Sequence, residues 1–208
     1  MDFNDSQQEA AFRKEARDFL EANAEKRSII SDKPNDKSPQ IAVAGAPETV
    51  KGGKEAAQEA LERAKVWQKK KAEAGFAAIL WPKEFGGYGG SPIQQVIYSQ
   101  EEHDYLVPSG YFEIGIGMLG PTMMVWGKDE DKKRYLPKMI TGEEIWCQLF
   151  SEPSAGSDLA GIKMKAEKDG DEWVLNGQKV WTSGAHFADY GMIVARSDPS
   201  ALKHKGLT

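Results

Sequence analysis

The feature that most constrains the fold of this chain is a change of sequence pattern near residue 145. Before it, apolar residues such as Phe12, Ala16 and Leu20 recur at helical spacing. After it, short apolar runs alternate with turn residues, which is typical of β-strands. Because helical and strand segments are segregated, we predict an α+β fold, with an all-α N-terminal domain over 1–144 and an incomplete antiparallel β domain over 145–208.

Local start and stop signals predict four helices in the first domain. A capping-box pattern begins the first helix, glycine suits the end of the second, and a Ser-Pro pair begins the third. Asp129 is expected to cap the fourth, and a Pro- and Gly-rich stretch at 28–53 predicts a long loop. The predicted helices cover residues 6–24, 54–74, 91–108 and 130–139.

The second domain is predicted to contain short strands joined by turns. Asp169-Gly170-Asp171 predicts one turn, and Asn176-Gly177 is the strongest hairpin signal because a type I′ turn needs positive φ at both central positions. A return strand is therefore expected immediately after Gly177. The predicted strands cover residues 145–151, 163–167, 172–175, 178–183 and 191–196.

Charge and hydropathy exclude several kinds of partner. The net charge is −5, and because nucleic acids and anionic membranes bind basic surfaces, neither is expected as a partner. No window approaches 18 uninterrupted apolar residues, so no membrane span is predicted. Residues 1–5 lack the basic and apolar regions of a secretory signal.

Cysteine and histidine usage points to a reducing compartment and no metal. Cys147 is the only cysteine, so no internal disulfide can form, and we expect a cytoplasmic protein. The three histidines, His103, His186 and His204, are far apart in the sequence. We therefore predict no metal site.

Residues 115–120 match the dinucleotide-binding pattern G-x-G-x-x-G, but the surrounding sequence argues against that function. Such a site needs a second strand that ends in an acidic residue about 20 positions further on. The corresponding region, 129–138, has the pattern of a charged helix. The alternative is a helix whose small residues let another helix or a ligand approach closely.

Two other segments have the composition of ligand-binding loops. Residues 151–158, Ser-Glu-Pro-Ser-Ala-Gly-Ser-Asp, directly follow a predicted buried strand and could present hydroxyl and backbone N–H groups to a polar ligand, or form an ordinary turn. Residues 176–183, Asn-Gly-Gln-Lys-Val-Trp-Thr-Ser, place an indole beside two hydroxyls. That arrangement suits a planar ring, although an isolated Trp181 is more often a core residue.

Together, these two segments resemble the paired flavin-binding motifs of the acyl-CoA dehydrogenase family. Residues 151–158 match S/T-E-P-x-A-G-S-D throughout, and residues 176–183 match N-G-x-K-x-W-x-[ST] throughout. The segments 80–87 and 127–137 also fit the family. The similarity spans nearly the whole chain except the stretch 28–53, whose length hints at a bulky acyl group.

The resemblance implies a helical N-terminal domain, a β middle domain, a C-terminal helical bundle and bound FAD. It also implies an acyl-CoA substrate, with Met118 beside the acyl chain and Ser157 touching either the flavin or the substrate. The cofactor-binding residues that it implies are Gln148, Leu149, Phe150, Ser151, Gly156, Ser157, Trp181, Thr182 and Ser183.

The chemistry implied by the resemblance is α,β-dehydrogenation of an acyl-CoA thioester. In this family the catalytic base is a glutamate of the C-terminal domain, beyond Thr208, so no catalytic residue is assigned here and we expect the chain alone to be inactive. Glu152 and Asp158 are expected to make loop hydrogen bonds.

The resemblance also bears on partners, and it leaves alternatives open. It implies electron-transferring flavoprotein as acceptor and a homo-oligomer or heteromer when complete. An acyl-CoA oxidase or a flavin monooxygenase of the same fold stays an alternative. So does a non-catalytic subunit of a heteromeric complex.

Overall fold

Helices build the first unit of the fold and short strands build much of the second, which confirms the predicted α+β class. The computed structural model describes residues 4–27 and 53–208. The chain divides into the helical unit, Met1–Glu144, and the β unit, Ile145–Thr208. The predicted loop at 28–53 lies outside the described residues except for Gly53, which begins a helix.

The helical unit contains two short strands as well as its helices. Its strands β1 (Glu25–Lys26) and β2 (Tyr105–Leu106) pair antiparallel. Its helices are α1 (Gln7–Asn23), α2 (Gly53–Glu73), α3 (Pro92–His103), α4 (Gly120–Trp126) and α5 (Asp129–Thr141).

Local capping signals explain where these helices begin and end. Ser6 and Ser91 each form a full capping box, in which the serine hydroxyl accepts from the third helical N–H and that residue's side chain accepts in return. Gly75 follows α2 with a φ of 85°, a left-handed conformation that glycine adopts without strain. These predictions are confirmed.

Two predicted helix boundaries are wrong. α3 ends at His103 rather than near Pro108, because Tyr105 and Leu106 pair with β1 instead. Asp129 is not a cap: it is the first residue of α5, and the cap position belongs to Lys128, whose side chain makes no capping bond. The Asp129 carboxylate still lies at the positive end of the helix dipole, where negative charge is favourable.

The core of the helical unit is formed where α1 packs against α3 and the segment after α2. Phe12 and Ala16 of α1 bury against Ile97 and Tyr98 of α3. Phe76 stacks on Tyr98 with ring centroids 5.0 Å apart. Burial of large apolar side chains of this kind is the dominant stabilising term in a small domain.

The glycine-rich segment 115–120 is helical, and the residues immediately before it, 113–114, are helical rather than part of a strand. Gly115–Leu119 forms a π-helical turn that continues directly into α4. The buried Trp81 packs against Gly120 and donates its indole N–H to the carbonyl of Ile116 at 2.8 Å. The small residues therefore admit a tryptophan, and the dinucleotide interpretation has no βαβ unit to support it.

The β unit departs from the predicted all-antiparallel arrangement. Its strands are β3 (Trp146–Leu149), β4 (Lys165–Asp169), β5 (Glu172–Asn176) and β6 (Tyr190–Ile193). β4 and β5 form the antiparallel hairpin expected around Gly170. β3 and β6 pair in parallel, which corrects the prediction for that pair.

The return strand predicted at 178–183 is wrong, because these residues form no strand. Gly177 has a φ of 153° and lies against Met164, so that a Cβ there would lie 2.8 Å from the Met164 backbone. After it the chain leaves the hairpin. Val180 instead donates its N–H to the carbonyl of Ser151, at 2.9 Å.

Candidate functional site

The strand β3 leads from the interior of the β unit to its surface. Trp146 and Cys147 are buried, whereas Gln148, Leu149 and Phe150 are half-buried. Ile145 directly precedes the strand, and its N–H donates to the Asp189 carboxylate at 2.8 Å. The predicted cofactor residues 148–150 therefore lie where the strand emerges.

The first motif, residues 151–158, is a tight turn. Glu152 and Ala155 exchange backbone hydrogen bonds of 2.8 and 3.1 Å. This turn leaves Gly156 and Ser157 exposed, and a Cβ built on Gly156 meets no atom within 4 Å. The loop thus presents backbone and a hydroxyl to open space, as a ligand-binding loop requires.

Glu152 is turned inward from this loop. Its carboxylate accepts from the N–H groups of Lys163 at 2.6 Å and Met164 at 2.9 Å, and from Lys179 Nζ at 3.0 Å. Burial alone would raise the pKa of Glu152, but these donors outweigh it and hold the pKa below its ordinary value. Glu152 therefore makes the loop hydrogen bonds expected of it and remains ionised.

The second motif, residues 176–183, contacts the first. Val180 N–H donates to the Ser151 carbonyl at 2.9 Å, and Lys179 Nζ donates to the Phe150 carbonyl at 2.9 Å. Residues that are 29 positions apart in the sequence are therefore adjacent in the β unit. Lys179 and Val180, which make these bonds to Phe150 and Ser151, directly precede the residues of the second motif that are predicted to face the flavin.

Trp181 is not a core residue. It has a φ of 58°, in the left-handed region that bulky residues rarely adopt, and its side chain is 87% exposed. A strained backbone and an exposed indole in one residue favour a functional role. Gly184 begins the turn that follows, where Phe187 and Ala188 donate their N–H groups to its carbonyl.

The hydroxyls predicted to bind a cofactor are available for it. Among the described residues, none forms a hydrogen bond with the side chains of Ser151, Ser157, Thr182 or Ser183. Hydroxyls can donate and accept, and an exposed indole offers a flat apolar face. This donor set fits a planar, heteroatom-rich ring such as a flavin.

Asp158 has a different environment from Glu152. It is exposed and pairs with Lys203, Nζ to Oδ2 at 2.6 Å. That hydrogen bond lowers the pKa of Asp158. The sequence analysis did not assign the two lysines that pair with the motif carboxylates, Lys179 and Lys203, to the site. The second motif specifies lysine at position 179, so Lys179 could have been found from it.

Met118, the residue predicted to contact the substrate, belongs to the helical unit. It lies on the π-helical turn, and its side chain is 44% exposed. A Cβ atom added at the neighbouring Gly117 would have no other atom within 4 Å. The turn therefore presents an apolar side chain and a gap to its surroundings.

A half-open cavity of about 620 Å³ lies in the helical unit, and neither motif contributes to it. Apolar residues and charged residues of both signs line it. Its lining includes Lys69, Glu73, Phe85, Leu136 and Ile140.

Neither a metal site nor a membrane helix is found in the part of the chain that the structure describes. Within residues 4–27 and 53–208, no three His, Cys, Asp or Glu side chains are grouped so that they could hold a metal ion. None of the described helices is both long enough and apolar enough to cross a membrane.

Comparison with known families matches most of the chain. Residues 46–143 match the family described as "Acyl-CoA dehydrogenase, N-terminal domain", and residues 147–208 match "Acyl-CoA dehydrogenase, middle domain". The acyl-CoA dehydrogenase IpdE1 of Mycobacterium tuberculosis is 40% identical over 157 residues, which cover 76% of this chain and 41% of that protein. The chain therefore spans less than half the length of this curated relative.

Solved structures agree with the sequence comparison. The "Tcur3481-Tcur3483 steroid ACAD" superposes with a TM-score of 0.71 at 32% identity, covering 100% of this chain and 48% of that chain. The ChsE4-ChsE5 complex from Mycobacterium tuberculosis gives a TM-score of 0.68 at 30% identity, covering 100% and 46%. The chain belongs to the acyl-CoA dehydrogenase family of oxidoreductases and carries that family's N-terminal and middle domains.

Proposed function

We propose that the protein acts in the FAD-dependent α,β-dehydrogenation of an acyl-CoA thioester, and that this chain supplies the part of the flavin site formed by its two motifs. The observation that carries the proposal is the bond between them: Val180 N–H donates to the Ser151 carbonyl at 2.9 Å. This bond brings to the end of β3 an exposed indole and several hydroxyls that bond to none of the described residues.

Each predicted site residue has a role in this proposal. Gln148, Leu149, Phe150 and Ser151 follow one edge of the flavin as β3 emerges, and Trp181 covers the ring face. The hydroxyls of Thr182 and Ser183 bind its heteroatoms. Gly156 gives room for close approach, and Ser157 donates to the flavin or to the thioester.

Bound FAD would supply the hydride-accepting chemistry, and the chain's own residues orient the reactants. Donors aimed at the thioester oxygen stabilise the charge that develops there as the α-proton is removed. Met118 lines the path of the acyl chain. We propose that the two domains recognised by comparison coincide with residues 1–144 and 145–208.

The carboxylates of the first motif are unsuited to removing the α-proton. A general base needs a pKa near the working pH and access to the substrate. Glu152 is buried against three N–H donors, and its pKa is lowered. We therefore place the base of the whole protein outside the two motifs.

We further propose a bulky acyl group as substrate and an assembly of more than one chain. One structural relative is named a steroid ACAD, and another is the ChsE4-ChsE5 complex. Electron-transferring flavoprotein is the proposed acceptor, and the cytoplasm is the proposed compartment.

The test is flavin retention by the chain and by two tryptophan variants. The protein is incubated with FAD and desalted, and its visible absorption is recorded. We expect the wild type to retain a flavin band and Trp181→Ala to lose most of it, because the ring face is uncovered. Trp173→Ala is the matched control, since Trp173 is also exposed but belongs to β5.

Two outcomes would contradict the proposed site. One is a wild-type chain that takes up no flavin at millimolar FAD. The other is a Trp181→Ala protein that binds FAD as tightly as the wild type while its unfolding midpoint is unchanged.

A further inference from the structure

We infer that the buried ion pair Glu152–Lys179 is a positioning pair, which locks the segment carrying Trp181 onto the loop after β3 and so sets the geometry of the flavin site. This inference rests on the proposed function. It assigns a role to two residues that do not themselves face the proposed cofactor.

The side chains of both members of the ion pair are buried. The side chains of Lys179 and Glu152 are only 5% and 4% exposed, and their charged atoms lie 3.0 Å apart. A buried ion pair contributes little net stability, because desolvation of both charges offsets their attraction. Its position between the two motifs therefore points to a role in geometry.

Glu152 ties the first motif to the start of the hairpin. Its two oxygens accept the N–H groups of Lys163 and Met164, which come just before β4. The backbone of Glu152 also closes the turn with Ala155. The carboxylate is thus held in place by bonds other than the one from Lys179.

Lys179 ties the second motif to this fixed group. Its ammonium donates to Glu152 and also to the Phe150 carbonyl, at 3.0 and 2.9 Å. The next residue, Val180, donates its N–H to Ser151. Three bonds from two consecutive residues therefore hold the second motif against residues 150–152.

These bonds replace the strand pairing that the segment lacks. Residues 178–182 have no regular secondary structure, so no ladder fixes their path. Trp181, directly after Val180, has a φ of 58°. Such a conformation persists only when surrounding contacts determine it, and the anchor at Lys179 and Val180 provides them.

The experiment compares Lys179→Met, Lys179→Arg and the control Lys168→Met, an exposed lysine of β4. Amide hydrogen exchange is followed in the flavin-free chain, and FAD affinity is measured separately. We expect Lys179→Met to speed exchange of the Val180 amide at least tenfold and to weaken FAD binding at least tenfold, the effect of losing roughly one charged hydrogen bond. The amides of β4 and β5 should keep their protection.

The conservative variant and the control complete the test. Lys179→Arg keeps the charge and should recover much of both effects, and Lys168→Met should match the wild type. Unchanged Val180 exchange in Lys179→Met overturns the inference. So does faster exchange with unchanged FAD affinity, or loss of protection in β4 and β5 together with Val180, which would show a merely structural role.

The two measurements, amide hydrogen exchange and FAD affinity, also separate this inference from the proposed function. A wild-type chain that binds no FAD contradicts the flavin site whatever the exchange data show. Exchange of the Val180 amide in the flavin-free protein still decides whether Lys179 anchors the segment.

Discussion

Gly117 and Gly120 lie three residues apart in one helical segment, but they face different surroundings. A Cβ on Gly120 would overlap the indole ring of Trp81, which is among the most deeply buried side chains. A Cβ on Gly117 would meet no atom within 4 Å. Packing therefore requires glycine at one position and not at the other.

This difference predicts opposite effects of the same substitution. Gly120→Ala should destabilise the protein by roughly 1–3 kcal/mol, because the tryptophan or the helix must move to admit a methyl group. Gly117→Ala, the matched control, should range from neutral to a gain of about 1 kcal/mol, since alanine favours helix. Urea midpoints of both variants against the wild type check this. Equal midpoints for the two variants would contradict the packing role of Gly120.

Single residues were predictable from sequence where their role is local. Ser6, Ser91 and Gly75 act on backbone groups a few positions away, so their patterns identify the helix ends. The requirement for glycine at position 120 depends on Trp81, almost 40 positions earlier in the sequence. The bonds from Lys179, which lies two residues before Trp181, likewise reach residues 27 and 29 positions earlier, and spacing alone does not encode them.

At the scale of elements, α1 is clamped to α3 by charge as well as by apolar packing. Glu101 of α3 accepts from Arg17 Nε at 2.9 Å and Arg13 Nη1 at 3.0 Å, both on α1. Arg13 also pairs with Asp5, and Gln100 accepts from the same guanidinium. The hydrogen bond from Arg17, above all, holds the pKa of Glu101 below its ordinary value despite burial.

The lowered pKa gives a direction for the pH dependence of this clamp. A carboxylate whose pKa is lower in the folded than in the unfolded state adds stability above the unfolded value, about 4.3, and loses it as pH falls through the folded value. Glu101→Gln should therefore cost roughly 1–3 kcal/mol at pH 7. The difference from the wild type should shrink below about pH 4.

Urea unfolding at pH 7, 5, 4 and 3.5 measures that difference. Glu15→Gln is a suitable control, because Glu15 lies on α1, the other helix of the clamp, and its carboxylate accepts from the Tyr88 hydroxyl rather than from an arginine. A penalty for Glu101→Gln that stays constant from pH 7 to pH 3.5 would argue against the clamp.

The strands show why element pairing was harder to predict than element type. The hairpin of β4 and β5 closes through neighbouring residues, and its turn signal predicted it. The partner of β3 is β6, more than 40 residues away in the sequence, and nothing in either strand specifies a parallel pair. The Asn176-Gly177 signal predicted a turn, but Lys179 and Val180 bind residues 150–152 instead of continuing the hairpin.

At the scale of the whole molecule, the two units differ in how well their apolar residues are buried. The helical unit has clusters of large buried side chains, such as Phe12, Ile97 and Tyr98. In the β unit, three consecutive residues of β5, Trp173, Val174 and Leu175, remain 44–51% exposed. A two-stranded hairpin without a covered face is marginally stable by itself.

This difference predicts an uneven profile of hydrogen exchange in the intact chain. Amides of α1 and α3 should exchange only through opening of the helical core, whereas those of β4 and β5 should exchange through local opening of the hairpin, at least tenfold faster. Low concentrations of urea should accelerate exchange of the helix amides more steeply than exchange of the hairpin amides, because opening of the helical core exposes more surface. Identical rates and identical urea dependence in both sets of amides would mean that the chain opens as one cooperative unit, and that the exposed strand face costs the β unit nothing in stability.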